Sequence, residues 1–191
     1  VLRGRPMAAR DLFGGAITAC IPEGWLDASD ARPVPDHQEV WMDPTHDRTI
    51  IVELLELAAA PLEQCGEYHF EELANGNEAT SMAVFSSTQL PADALASPSL
   101  RSAAHGRVVH GAMAVPRQQA ELQLRLVVLR LPAQETDLLV SVMRPAPLVG
   151  ASSAAQPTGD PPQDSQSLVD AELLASLIAS LEVRDWGLFG G

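Results

Sequence analysis

At 191 residues the chain is long enough to bury the core of one ordinary domain, and 46% apolar against 19% charged residues is a globular balance. No apolar run approaches the roughly 18 residues a membrane helix needs, and two cysteines, Cys20 and Cys65, are too few for a disulfide framework and fit a reducing compartment, with a single bridge between them left open. The net charge of −13 is concentrated between Asp11 and Glu72, where 14 acids face only Arg32 and Arg48, so this third of the chain repels nucleic acid and is either a solubilising face or a surface for a basic partner.

In chain order, residues 1–10 carry three arginines and no initiating methionine and are expected to form a flexible leader or tag remnant, without the apolar stretch of a secretory signal. Residues 11–191 are expected to be one domain. Ala16 to Ile21 is a short apolar run closed by Pro22 and Gly24 and predicts a first strand. Trp25 to Asp36 holds Asp27, Ser29, Asp30, Pro33 and Pro35, residues that cap and turn, and predicts an ordered loop. Gln38 to Asp43 and Thr49 to Glu56 are β-rich and joined by Asp43-Pro44, which predicts a hairpin.

Pro61 to Ala74 repeats Leu62, Cys65, His69 and Leu73 at steps of three and four, the spacing of a helix, with Asn75-Gly76 suited to end it. Thr80 to Thr88, Arg107 to Val115, Ala120 to Leu131 and Asp137 to Met143 predict four more strands. The longest of them puts Leu122, Leu124, Leu126 and Val128 on one face and Gln123 and Arg125 on the other. Residues 145–167 are rich in Pro, Ser, Ala, Gln and Asp, cannot bury enough surface to offset ordering entropy, and predict a disordered loop. Helical spacing resumes from Leu168 to Val183, and the bulky residues of Asp185 to Phe189 are expected to dock on the body.

Local chemistry for an enzyme is lacking. His105 and His110 have no ligand partners at metal-site spacing, and Gly14-Gly15 lacks the Lys-Ser or Lys-Thr of a phosphate loop. Cys65 and His69 lie one helical turn apart, where core packing is the stronger reading than nucleophile and base. Glu71-Glu72 reads as a solvated helix face. An unrecognised hydrolase using a carboxylate pair ranks last, and no cofactor is expected.

Several segments, in matching order and spacing, resemble the Ran guanine-nucleotide release factor family. They are Leu12 to Ile17 (LFGGAI), Ile21 to Asp27 (IPEGWLD), Arg32 to Val40 (RPVPDHQEV), Ile50 to Glu56 (IIVELLE), Tyr68 to Ala74 (YHFEELA), Leu138 to Val142 (LLVSV) and Asp185 to Phe189 (DWGLF). Residues 79–104 match weakly, and the 145–167 loop is longer and more polar than the family needs.

The resemblance implies a single α/β (α+β) domain with a central, mostly antiparallel sheet of six or seven strands flanked by helices on both faces, a fold shared with the P-type extrinsic subunit of photosystem II. It also implies a non-catalytic protein that binds the GTPase Ran and promotes release of guanine nucleotide in nuclear import. Such a protein is expected in nucleus and cytoplasm as a monomer, with a second Ran-binding protein as a further partner and no nucleic-acid or membrane partner. The rival role is that of a chloroplast lumenal photosystem II P-subunit-like accessory protein. The carboxylates that match the family's acidic surface are Asp27, Asp36, Glu39, Glu53 and Glu56. On a regular strand Glu53 and Glu56 point to opposite faces, so joining them in one patch requires the strand to end or bulge near Leu55. An acid between Ile51 and Leu55 also needs a polar partner.

Overall fold

Alternating apolar residues along the long strands need cover on both faces of a sheet, and the computed structural model, which describes residues 5–118, 120–147 and 165–190, shows what supplies it. Strands β1 (Met7–Leu12), β2 (Ile17–Pro22), β3 (Leu26–Asp27), β4 (Gln38–Met42) and β5 (Thr49–Glu56) come first, followed by helix α1 (Cys65–Gly76). Then come β6 (Ser81–Gln89), α2 (Pro98–Ala103), β7 (His105–Val115), β8 (Ala120–Leu131), β9 (Thr136–Pro147), α3 (Ser165–Ser180) and β10 (Glu182–Val183).

Seven strands form one antiparallel sheet in the order β3-β4-β5-β9-β8-β7-β6, and β1-β2-β10 form a second, smaller one. The central sheet with helices on both faces is the expected fold. The second sheet is an addition to it.

β8 shows how the sequence sorts into two cores. Leu122, Leu124, Leu126 and Val128 pack with Cys65, Phe70, Val109 and Leu139 on the α1 face. Val127, Leu129 and Leu131 pack with Trp41, Ile50, Val52, Leu138 and the α3 residues Leu173, Leu174 and Leu177 on the other, which the small sheet covers through Ile17 and Ile21. Trp186, Leu188 and Phe189 pack against this second core, so the chain's end docks as expected.

Several boundaries differ from the sequence reading. Met7 to Arg10 of the expected leader belong to β1, which pairs with β2 from Met7↔Pro22 to Leu12↔Ile17. Within the expected loop, Leu26 and Asp27 pair with Met42 and Trp41 because Asp27 caps the following 3-10 turn, its Oδ1 accepting from the Ser29 amide at 2.8 Å. Helix α1 starts at Cys65, not Pro61, since Pro61 to Gln64 form a turn closed by the Gln64 amide on the Pro61 carbonyl. Asn75 and Gly76 remain helical, and the left-handed residue is Glu78 at φ 54°. Of the 145–167 segment, 145–147 close β9 and 165–167 open α3, while 148–164 lie outside the described residues.

Gly111 is fixed by close approach to a backbone carbonyl. A Cβ on Gly111 of β7 would stand 2.5 Å from the Ala83 carbonyl oxygen and 2.6 Å from the Phe70 ring. Gly111→Ala is expected to destabilise by about 1–3 kcal/mol through overpacking, read as a lower urea midpoint with unchanged slope.

Candidate functional site

The β4–β5 hairpin carries the matched carboxylates, and its register decides where each one points. Gln38 opposes Glu53 and Glu39 opposes Val52, while β5 continues against β9 without a register shift from Thr49↔Met143 to Glu56↔Thr136. No bulge occurs near Leu55, so Glu53 projects on the α1 face while Glu39, Glu56 and Asp27 project on the other. Glu56 lies four residues beyond the partner of Glu39, about 13 Å along the strand. Asp36 sits in the exposed loop that enters β4.

The five carboxylates therefore do not form one flat patch. They surround one corner of the sheet. β3 pairs only with Trp41 and Met42, so residues 38–40 have no strand neighbour on that side among the described residues, and this open edge separates the Glu53 face from the Glu39 face.

Each acid is held differently. Glu53 is only 8% exposed; its Oε1 accepts from Gln38 Nε2 at 2.6 Å and lies 3.5 Å from His37 Nε2, the polar partner its apolar neighbours demand. Glu39 Oε1 accepts from the Phe13 amide at 2.5 Å. Burial raises the Glu39 pKa above the ordinary glutamate value, the Phe13 hydrogen bond opposes that rise, and the nearby Asp27 charge adds to it. Glu39 thus takes a proton more readily than a free glutamate. Asp27 Oδ1 accepts from both the amide and the hydroxyl of Ser29. Asp36 and Glu56 are exposed and have no ion-pair partner among the described residues.

The surrounding charge is one-sided. Glu23, Asp30, Asp47, Glu63, Glu71 and Glu72 are also exposed. Arg48, one of only two bases in the acidic third, is buried and bonded to Asp170 of α3, so it neutralises none of them.

Beside Glu53, α1 leaves part of the sheet uncovered. The result is a groove of about 390 Å³ between the helix and strands β5 and β9. Ile51, Leu55, Leu73, Leu126, Leu139 and Met143 give it apolar surface, and Gln38, Glu53, His69, Glu72, Asn77 and Ser141 supply polar groups.

Under the same helix, Cys65 and His69 are buried as core residues, and His69 Nε2 bonds Asp137 Oδ2 at 2.8 Å. Asp137 also accepts from Arg130 Nε at 3.0 Å and from the Ala58 amide at 3.0 Å. Burial alone would push the Asp137 pKa up, but the hydrogen bonds from His69, Arg130 and Ala58 outweigh it and bring it from 3.8 to about 2. A carboxyl depressed on folding stabilises above its unfolded pKa, and that stabilisation is lost as pH falls through the folded value. Stability is therefore expected to drop by about 2 kcal/mol between pH 4 and pH 2 from this group, and Asp137→Asn should flatten that part of a urea-midpoint profile.

Sequence reading missed His37 and Gln38 as the holders of Glu53, and Ser141 as a groove residue. The apolar flanks of Glu53 were the one signal that such holders existed.

Comparison with known proteins fits this geometry to a family. Residues 10–145 match the model of the Ran-interacting Mog1 protein family. The chain is 36% identical over 191 residues to the Ran guanine nucleotide release factor of Bos taurus, covering 97% of this chain and 98% of that one. It is 34% identical over 172 residues to the nuclear import protein mog1 of Schizosaccharomyces pombe, covering 85% and 88%. Among solved structures, the Saccharomyces cerevisiae Ran-binding protein Mog1p superposes with a TM-score of 0.73 over 98% of this chain and 100% of that one at 24% identity. The solution structure of cyanobacterial PsbP from Synechocystis sp. PCC 6803 shares the fold more distantly, with a TM-score of 0.55 at 11% identity over 94% and 93%. With more than two thirds of its length inside the family model and 36% identity over nearly the whole length of the Bos taurus relative, the chain belongs to the Ran-interacting Mog1 protein family.

Proposed function

We propose that this chain binds the small GTPase Ran through the acid-lined corner of the β4–β5 hairpin and promotes release of its bound guanine nucleotide, in support of nuclear import, in nucleus and cytoplasm. The observation that carries this reading is the one-sided charge. Asp36 and Glu56 are exposed without an ion-pair partner among the described residues, Glu53 and Glu39 flank the open edge between them, and the one buried arginine of the segment is committed elsewhere.

The mechanism is a coupling between two ligands on one GTPase. A protein that prefers the nucleotide-poor form of its partner weakens nucleotide by the same factor by which nucleotide weakens it. This chain makes and breaks no bond, needs no cofactor, and acts as a monomer, with room for a second Ran-binding protein on the same GTPase. Opposed charges speed encounter and fix register, and the well-held carboxylates contribute the larger share of affinity.

Binding of purified Ran measured between 50 and 300 mM salt tests this. Affinity is expected to fall steadily as salt rises, mainly through slower association, and an affinity independent of salt would remove the acidic corner from the account.

A further inference from the structure

The acid-lined corner occupies one edge of the seven-stranded sheet, and the opposite edge has the contrary character. Among the described residues β6 pairs only with β7, so one side of its backbone offers amides and carbonyls to another strand. Natural sheets guard such an edge with charge or proline, yet none of the nine residues Ser81–Gln89 is charged or a proline. Met82 and Val84, 41% and 37% exposed, stand side by side on the α1 face, since they oppose Gly111 and Met113, and Met113 packs there. Charges around the strand are nearly balanced. Glu78 is ion-paired with Arg117 at 2.9 Å, and Glu67 and Glu71, on the flank of α1 away from the groove, are partly offset by Arg107 of β7.

We infer that β6 pairs with β6 of a second copy of this chain, antiparallel about a two-fold axis at Ala83, which joins the two sheets. An antiparallel strand is complementary to itself by such a rotation. With the axis there, Met82 of each copy meets Val84 of the other and Ser81 meets Phe85, so the exposed apolar pair is shared on one face. Pairing ends at Phe85, where the register of β6 on β7 shifts. A second copy brings an edge of matching character, and charge admits it at this place. Each chain carries −13, but β4 lies five strand spacings from β6, about 24 Å, against a screening length of about 8 Å at physiological salt. The two acidic corners then stand at the far ends of the combined sheet, each open to its own GTPase. Five residue pairs make a small interface, so the association is weak and the chain is single when dilute.

Sedimentation equilibrium of the full chain from about 5 to about 500 µM tests this, because a self-association moves with concentration. The average mass is expected to climb from that of one chain toward twice that value. Val84→Lys, at an exposed site, should raise the dissociation constant at least tenfold, with Met82→Lys as the second variant and circular dichroism to confirm folding. Register is read by disulfide formation with oxidised glutathione in a Cys20→Ser background. Two Ala83→Cys residues would lie about 5 Å apart across the axis, within reach of a disulfide, whereas two Thr88→Cys residues would lie about 33 Å apart. The first variant should therefore cross-link at least tenfold faster than the second. A dimer that both lysine variants leave intact, or equal cross-linking of the two cysteine variants, overturns the assignment. So does a wild-type chain that stays single at the highest concentration, which would leave the edge to a strand of another protein.

Discussion

Replacing Asp170 by alanine is expected to remove about 3–5 kcal/mol of folding stability, the cost of stripping one partner from a buried charge cluster. Asp170 sits on α3 at 4% exposure and accepts from Arg48 Nε at 2.6 Å and from Arg144 Nε at 3.0 Å. Arg48, at 1% exposure, is among the largest fully buried side chains, and its remaining partner is the side chain of Gln166, also on α3. The single carboxylate thus ties α3 to the turn after β4 and to β9 at once. Alanine leaves the Arg48 guanidinium buried without its counter-charge, and desolvation then outweighs what one neutral amide returns. Domains of this size are stable by roughly 5–15 kcal/mol, so the variant should unfold at a much lower urea concentration. Replacing Asp170 by leucine together with Arg48 and Arg144 by methionine should recover most of the loss, since apolar residues of similar volume can replace a buried ion cluster at little cost.

The second large effect concerns binding. Glu53→Gln keeps the shape of the side chain, and its amide oxygen can still accept from Gln38, so the hairpin should fold. What disappears is the charge, at a position 8% exposed where a partner's cation would be desolvated. Loss of a buried charged contact is worth roughly 2–5 kcal/mol, so Ran affinity should fall by about 30-fold to several thousand-fold, chiefly through faster dissociation. Glu56→Gln, at an exposed site, should change affinity by about fivefold or less. Titration calorimetry on the two variants checks the contrast. A Glu53→Gln loss of fivefold or less would mean that the Glu53 face is not part of the docking surface.

The architecture was legible wherever the signal is local. Leu122 to Val128 alternate because each face of β8 meets its own core, and period two records that in the sequence. The β4–β5 hairpin and the heart of α1 follow from β-branched runs, turn residues and three-four spacing for the same reason. The placement of the carboxylates was half legible. Apolar neighbours of Glu53 required a polar holder, but not that Gln38 across the strand pair would be it, because register depends on the partner strand.

Edge elements were hidden for a different reason. β1 buries only Leu12 fully and exposes Arg10 and Asp11, so Met7 to Arg10 carry no strand pattern and read as part of a flexible leader, although β1 pairs along its whole length with β2. β3 and β10 hold two residues each, too few for a period to show. The charge clusters were invisible for want of any local sign, since Asp170 and Arg48 stand 122 residues apart and Asp137 and His69 stand 68 apart.

The central claim is that acids around the open corner of the sheet grip Ran and weaken its hold on nucleotide. Release of a fluorescent guanine nucleotide from purified Ran, timed with and without this protein, tests it most directly. Wild type should accelerate release several-fold or more, Glu56→Gln should do nearly as well, and Glu53→Gln should fall back toward the unassisted rate. A release rate that wild-type protein leaves unchanged at saturating concentration would contradict the account.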